Sequence, residues 1–185
     1  QIAEGLARVL NHHGVLSLFH DDYQHAVQFC QEGLAVAQQC GDQMWASSSL
    51  YFAGEAFYLQ GLLDQAKRAY EESYILNDAV GNLRQSGHRF TRLGHVVCAQ
   101  GDLTQASTLF SKGLMLAAEC HDLVGIGMAL IGLARTAASY GDYQRATMLL
   151  AAKEETATTN PVVRFWPLER KENERTLTIL HKHLD

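Results

Sequence analysis

The sequence predicts an all-α fold: an α-solenoid of four antiparallel helix hairpins followed by one C-terminal capping helix. Three observations carry this reading. Leu and Ala number 25 and 23 of 185 residues, against 10 Val and 5 Ile, a composition suited to helices rather than pleated sheet. The only prolines are Pro161 and Pro167, so nothing interrupts helices before them. Above all, Ala26, Ala66, Ala106 and Ala146 recur every forty residues, the mark of a stacked repeat.

The repeat is built of paired small residues and two turns. Twelve residues before each of these alanines stands Gly14, Gly54, Gly94 or Ala134. Within each pair lies a turn: Asp21-Asp22, Gly61-Leu62, Gly101-Asp102 and Gly141-Asp142. Between repeats a second turn recurs: Gly41-Asp42, Gly81-Asn82, His121-Asp122 and Asn160-Pro161. Gly accepts the left-handed conformation that ends a helix, and Asp or Asn caps the next helix by accepting from its free N–H groups. Asp21 stands where Gly would be and tolerates the same geometry better than most residues. Leu62 is a poor cap, which predicts a differently built turn there.

These signals place helices near 2–19, 23–40, 43–60, 63–80, 83–100, 103–120, 123–140 and 143–158. The stripe Leu103, Ala106, Leu109, Phe110, Leu114, Ala117, Ala118 has the i, i+3, i+4 spacing of one buried helix face. The repeats cover about 1–41, 42–81, 82–121 and 122–160 of a single domain, with a capping segment over 161–185. In that segment Val162–Trp166 reads as extended, and Pro167 suits a first helical position. Glu169 and Glu172 suit the first turn of the last helix, and His181, Lys182 and His183 its last turn. Leu177, Leu180 and Leu184 form a narrow apolar stripe that would cover the last hairpin.

Composition excludes several functions. The net charge of −5 and the lack of a Lys/Arg-rich run argue against nucleic-acid binding. No apolar run reaches membrane-spanning length and no signal peptide is present. Cys30, Cys40, Cys98 and Cys120 form no CxxC pair and read as reduced, buried thiols of a cytoplasmic protein. The first residue is Gln1, which suggests a piece of a longer polypeptide; Ile2, Leu6, Val9 and Leu10 would then present an apolar edge through which the piece could form a homo-oligomer.

Catalytic and metal readings are weak. His88, His95 and Cys98 share a helix at spacings that could present three ligands, but the same spacing serves residues lining a groove or packing between helices. Ser47-Ser48-Ser49 lies on a helix rather than a nucleophile elbow, and Gly125-Ile126-Gly127 is a helix-packing pattern rather than a phosphate loop. No catalytic residue, metal ligand or cofactor is expected, and a small metal- or ligand-dependent enzyme is the outlying alternative.

A small residue, then Ala twelve residues on, then an aromatic or apolar residue four further (Tyr70, Phe110, Leu150) resembles the tetratricopeptide repeat over residues 1–158. The period here is forty residues, and the proline usual near the repeat end is missing. Repeats of this length, with "ALIGLARTAASYGDYQRATMLLAAKEE" (Ala129–Glu155) and "PLERKENERTLTIL" (Pro167–Leu180), are similar to the sensor regions of bacterial signal-transduction ATPases of the LuxR and maltose-activator types. The resemblance implies a right-handed solenoid acting as a non-catalytic scaffold that binds a protein, a peptide or a small anionic ligand. That scaffold would be the sensor region of a larger bacterial transcriptional regulator or, alternatively, a stand-alone adaptor. It further implies that the first helix of each hairpin lines a concave groove, which places Asn11, Tyr51, Glu55, Tyr58, His88, Thr91, His95 and Arg135 there, with Arg92 adding to the positive charge. A surplus of positive charge on an acidic chain favours an anionic partner, the more so if His88 and His95 gain charge below about pH 6.5.

Overall fold

The computed structural model describes residues 2–159 and 166–184, with the side chains of 2–4, 157, 159 and 184 excepted. The described residues form nine helices and no strand: α1 (Ile2–Phe19), α2 (Tyr23–Gln39), α3 (Gln43–Leu59), α4 (Leu63–Ala79), α5 (Leu83–Ala99), α6 (Leu103–Glu119), α7 (Leu123–Ser139), α8 (Tyr143–Thr159) and α9 (Pro167–Leu184). The architecture is the all-α solenoid of helix hairpins with a further C-terminal helix. Asn160-Pro161 and the expected extended stretch up to Phe165 lie outside the described residues.

The turns share one construction. After α3, Gly61 N–H donates to the Tyr58 carbonyl and Leu62 N–H to the Phe57 carbonyl, the paired bonds of a Schellman stop. The same two bonds follow each of α1, α2, α4, α5, α6 and α7. Each needs a left-handed residue: Gly at five turns, Asp21 (φ 57°) and His121 (φ 51°) at the other two. The turn at Leu62 is therefore built like the rest, contrary to expectation, because backbone bonds alone close it; it lacks only a capping side chain. Asp22, Asp42 and Asp102 do cap, each accepting from the backbone N–H three residues on.

The chain forms two compact units, Gln1–Asn82 and Leu83–Asp185. In the first, α1 and α3 lie side by side and α2 packs against both. In the second, α5 and α7 lie side by side, α6 packs against both and α8 against α7. Ala26, Ala66, Ala106 and Ala146 are all fully buried. A Cβ added at Gly54 would stand 2.7 Å from the Tyr70 ring, and one at Gly94 the same distance from Phe110. In the second and third repeats the small residue thus makes room for the aromatic ring four after the periodic alanine; in the first, Gly14 makes room for Cys30. Among the described residues no helix is long and apolar enough to cross a membrane.

Helix α9 does not continue the stack. It packs chiefly against α7, with a smaller contact on α8, whereas α7 itself rests mainly on α6 and α8. Leu168 and Leu180 are buried, but Leu177, expected in the apolar stripe, is a third exposed. The four cysteines are free thiols, as expected; Cys30 and Cys98 are buried, but Cys40 is exposed and Cys120 half-buried. The latter two are the C-cap residues of α2 and α6.

Candidate functional site

In the first unit the expected groove residues are interior. Asn11 is buried on α1, where its amide donates to the Ala7 carbonyl and to Ser49 Oγ, both at 2.9 Å. Tyr51, Glu55 and Tyr58 on α3 are buried as well. The Tyr51 ring lies 5.9 Å from that of Tyr70. Burial, reinforced by the Glu55 carboxylate, pushes the Cys30 thiol up to about 12, so this thiol stays protonated. Ser47 and Ser73 exchange hydroxyl-to-carbonyl bonds of 2.8 and 2.7 Å and tie α3 to α4.

The second unit gathers charge on its first helices. On α5, the Arg92 guanidinium forms a two-pronged ion pair with Glu169 of α9, its Nη2 at 3.2 Å from Oε2. Both side chains are 99% buried. One turn further along α9, Glu172 receives Arg135 of α7 on Oε2 and Arg175 of α9 on Oε1. His95 of α5 brings Nδ1 to 3.7 Å from the same Oε2 and packs edge-on against Phe110. Residues three apart on a helix share a face. Glu169 and Glu172 therefore point together at Arg92, His95 and Arg135, across both first helices.

The electrostatics follow from burial and partners. Burial works to raise the Glu172 pKa, but the Arg135 and Arg175 guanidiniums on its two oxygens hold the carboxyl below its ordinary value. Burial pushes the His95 imidazole down, against the pull of Glu172. His95 therefore does not gain charge near pH 6.5 as the sequence suggested, because the protonated ring would be desolvated beside Arg92. Thr91, also buried, donates to the Gly87 carbonyl within its own helix.

A second cluster joins α5 to the start of α7. The sequence marks Asp122 as the cap of α7, yet its side chain makes no cap bond. Its carboxylate is instead 2.6 Å from His88 Nε2 and 3.1 Å from Arg84. Burial opposes ionisation of Asp122, but His88 and Arg84 prevail and lower its pKa. His88, Thr91, His95 and Arg135 are thus brought onto one pair of helices, and His88 is held by a different carboxylate from His95 and Arg135.

Sequence reasoning assigns Glu169 and Glu172 to the helix dipole and misses their partners. The available signal is their i, i+3 spacing opposite an arginine row on α5 and α7. Among the described residues no group of three His, Cys, Asp or Glu side chains could hold a metal ion. The arrangement sets planar guanidinium donors of α5 and α7 against carboxylates of α9.

No protein-family model matches the chain, and no curated protein matches it. Solved structures do. It is similar to the Podosopora anserina putative kinesin light chain with nearly identical TPR-like repeats, at 14% identity and a TM-score of 0.64 over 98% of this chain and 90% of that one. A point-substituted form of that protein gives 14% and 0.65 over 100% and 90%. BtubC (BKLC) from P. vanneervenii gives 14% and 0.61 over 74% of this chain, which spans 57% of BtubC. Likeness at this identity concerns the fold alone: the chain has the fold of a tetratricopeptide-like repeat array.

Proposed function

We propose that the chain is a non-catalytic scaffold whose first-helix faces bind a peptide or protein segment carrying negative charge. The observation that carries this is the pair of contacts Arg92–Glu169 and Arg135–Glu172, in which α5 and α7 hold the carboxylates of a helical segment. Of the residues proposed for binding, His88, Thr91, His95 and Arg135 belong to this face in the second unit. Asn11, Tyr51, Glu55 and Tyr58 are buried inside the first unit and are not offered as an open binding face. The tetratricopeptide-like fold supports a protein or peptide partner over a substrate, and the free thiols suit a cytoplasmic setting. The similarity of Ala129–Glu155 and Pro167–Leu180 to the ends of regulator repeat regions favours a place as the sensor region of a larger transcriptional regulator.

The test is a displayed-peptide selection against the full chain, followed by affinity measurements on Arg92→Glu and Arg135→Glu with helicity checked by circular dichroism. Selected ligands should be acidic and should lose about tenfold or more in affinity to either variant. Ligands that bind both folded variants unchanged would place the site elsewhere.

A further inference from the structure

We propose that the outward face of α1 pairs with the same face of a second copy of the chain, the two helices running antiparallel about a two-fold axis. The face is a seam of four exposed residues, Leu6, Val9, His13 and Leu16. Its three apolar members are each 47–55% exposed. Leu10, expected in this edge, is half-buried instead. The seam's spacing of three, four and three residues is the a and d pattern by which two helices interlock. Single apolar residues scattered over a surface need no explanation, but three in one seam of one helix do.

The repeat itself marks these positions as an interface. Forty residues on, α3 carries Ala46, Ser49, Ala53 and Ala56, none more than 6% exposed. Ala46 shares a core cluster with Ala7 of α1 and Ala37 of α2, and Ser49 Oγ accepts from the Asn11 amide. Helix α3 thus turns this seam to the preceding hairpin. Helix α1 bears the same seam with larger side chains. They do not suit the close approach that α2 makes to α3, where a Cβ on Gly33 would stand 3.3 Å from Ser49 Oγ. They suit a helix held at the wide end of the roughly 8–10 Å range of interaxial distances.

Two features select a second copy as the occupant. The seam reads the same from either end, which an isologous contact requires: residue i meets j and j meets i. Antiparallel pairing about its midpoint sets Leu6 of each copy level with Leu16 of the other, and Val9 of each level with His13 of the other. The seam also holds no Asp, Glu, Lys or Arg. The net charge of −5 opposes association of copies elsewhere on the surface but not here. An uncharged seam likewise gives an oppositely charged partner nothing to read. His13 is its one polar residue and fixes the register, since a shift would set it against leucine. Four residues a side make a small interface, so a Kd of roughly 1–100 μM is expected.

The test is sedimentation of the full chain from about 1 to about 300 μM, a span chosen to bracket that Kd. The mass should rise from one chain to two and stop there. L6E/L16E alters exposed positions only; it should keep its helicity and associate more than about tenfold more weakly. I75E, at a more exposed residue of α4, should still dimerise. A short bismaleimide reads the geometry in a C40S/C120S background. A mixture of L6C and L16C chains should cross-link and neither chain alone should, because identical positions lie ten residues, about 15 Å, apart along an antiparallel pair. Cross-linking of L6C alone would show a parallel pair, and mass growing beyond two chains a head-to-tail contact; either overturns the proposal. So does a dimer that survives L6E/L16E. A chain still monomeric at the highest concentration overturns it too and gives the seam to a helix of another protein.

Discussion

At the scale of single residues, Phe110 shows what the repeat spacing encodes and what it omits. Gly94, twelve residues before Ala106, is required because its Cβ would meet the Phe110 ring at 2.7 Å. That contact is legible, since every repeat pairs a small residue with the alanine. Gly132 is tighter still, with a Cβ only 2.2 Å from the same ring. Its equivalents are His12, Phe52 and Arg92, so no pattern marks it. Gly132→Ala should cost roughly 1–3 kcal/mol by overpacking, read by urea denaturation. Adding Phe110→Leu should cost less in the Gly132→Ala background than alone, because both changes act on one contact. Ala106→Leu should cost a similar ~1–3 kcal/mol, since Ala106 is fully buried at the hairpin crossing; an unchanged midpoint would refute the register.

Among the elements, helix ends are the most legible feature, because each is stated locally by two adjacent residues. The expected boundaries fall within a residue of those found. The exceptions teach more. Leu62 has φ −82° and ψ 65°, nearly the backbone of the capping Asp22 at −90° and 73°, yet makes no cap bond. Leu62→Asp should therefore raise stability by about 1 kcal/mol, seen as a higher melting temperature. A lower melting temperature would mean that the half-exposed leucine packs more than its exposure suggests. Asp122 is the converse, a cap by sequence whose carboxylate is drawn off by His88 and Arg84, 34 and 38 residues away. Local propensity cannot report such partners. The same holds for α9: its helix is legible from Pro167 and Glu169, but Arg92 lies 77 residues from Glu169, and only the fold brings them together.

Across the molecule, the ionisable groups with lowered pKa and deep burial, Asp122, Glu172 and His95, all belong to the unit Leu83–Asp185. Each binds a proton less readily folded than unfolded, so each contributes stability that is complete above its unfolded pKa and is lost as pH falls toward its folded one. For His95, faced by Arg92, Arg135, Glu169 and Glu172, the loss begins below about pH 6.5; for the two carboxyls it begins near pH ~4. The second unit should therefore weaken in two stages on acidification. The two tryptophans offer a readout, since Trp45 lies in the first unit and Trp166 stands immediately before α9. In a Trp45→Phe chain the urea midpoint followed through Trp166 should fall between about pH 7 and pH 5, and more steeply below about pH 4. His95→Gln should flatten the first stage and leave the second. Asp122→Asn with Glu172→Gln should flatten the second, whatever either does to stability at neutral pH, because the slope counts protons rather than contacts. A first stage that survives His95→Gln would assign that proton to another group and would remove burial as the force acting on this histidine.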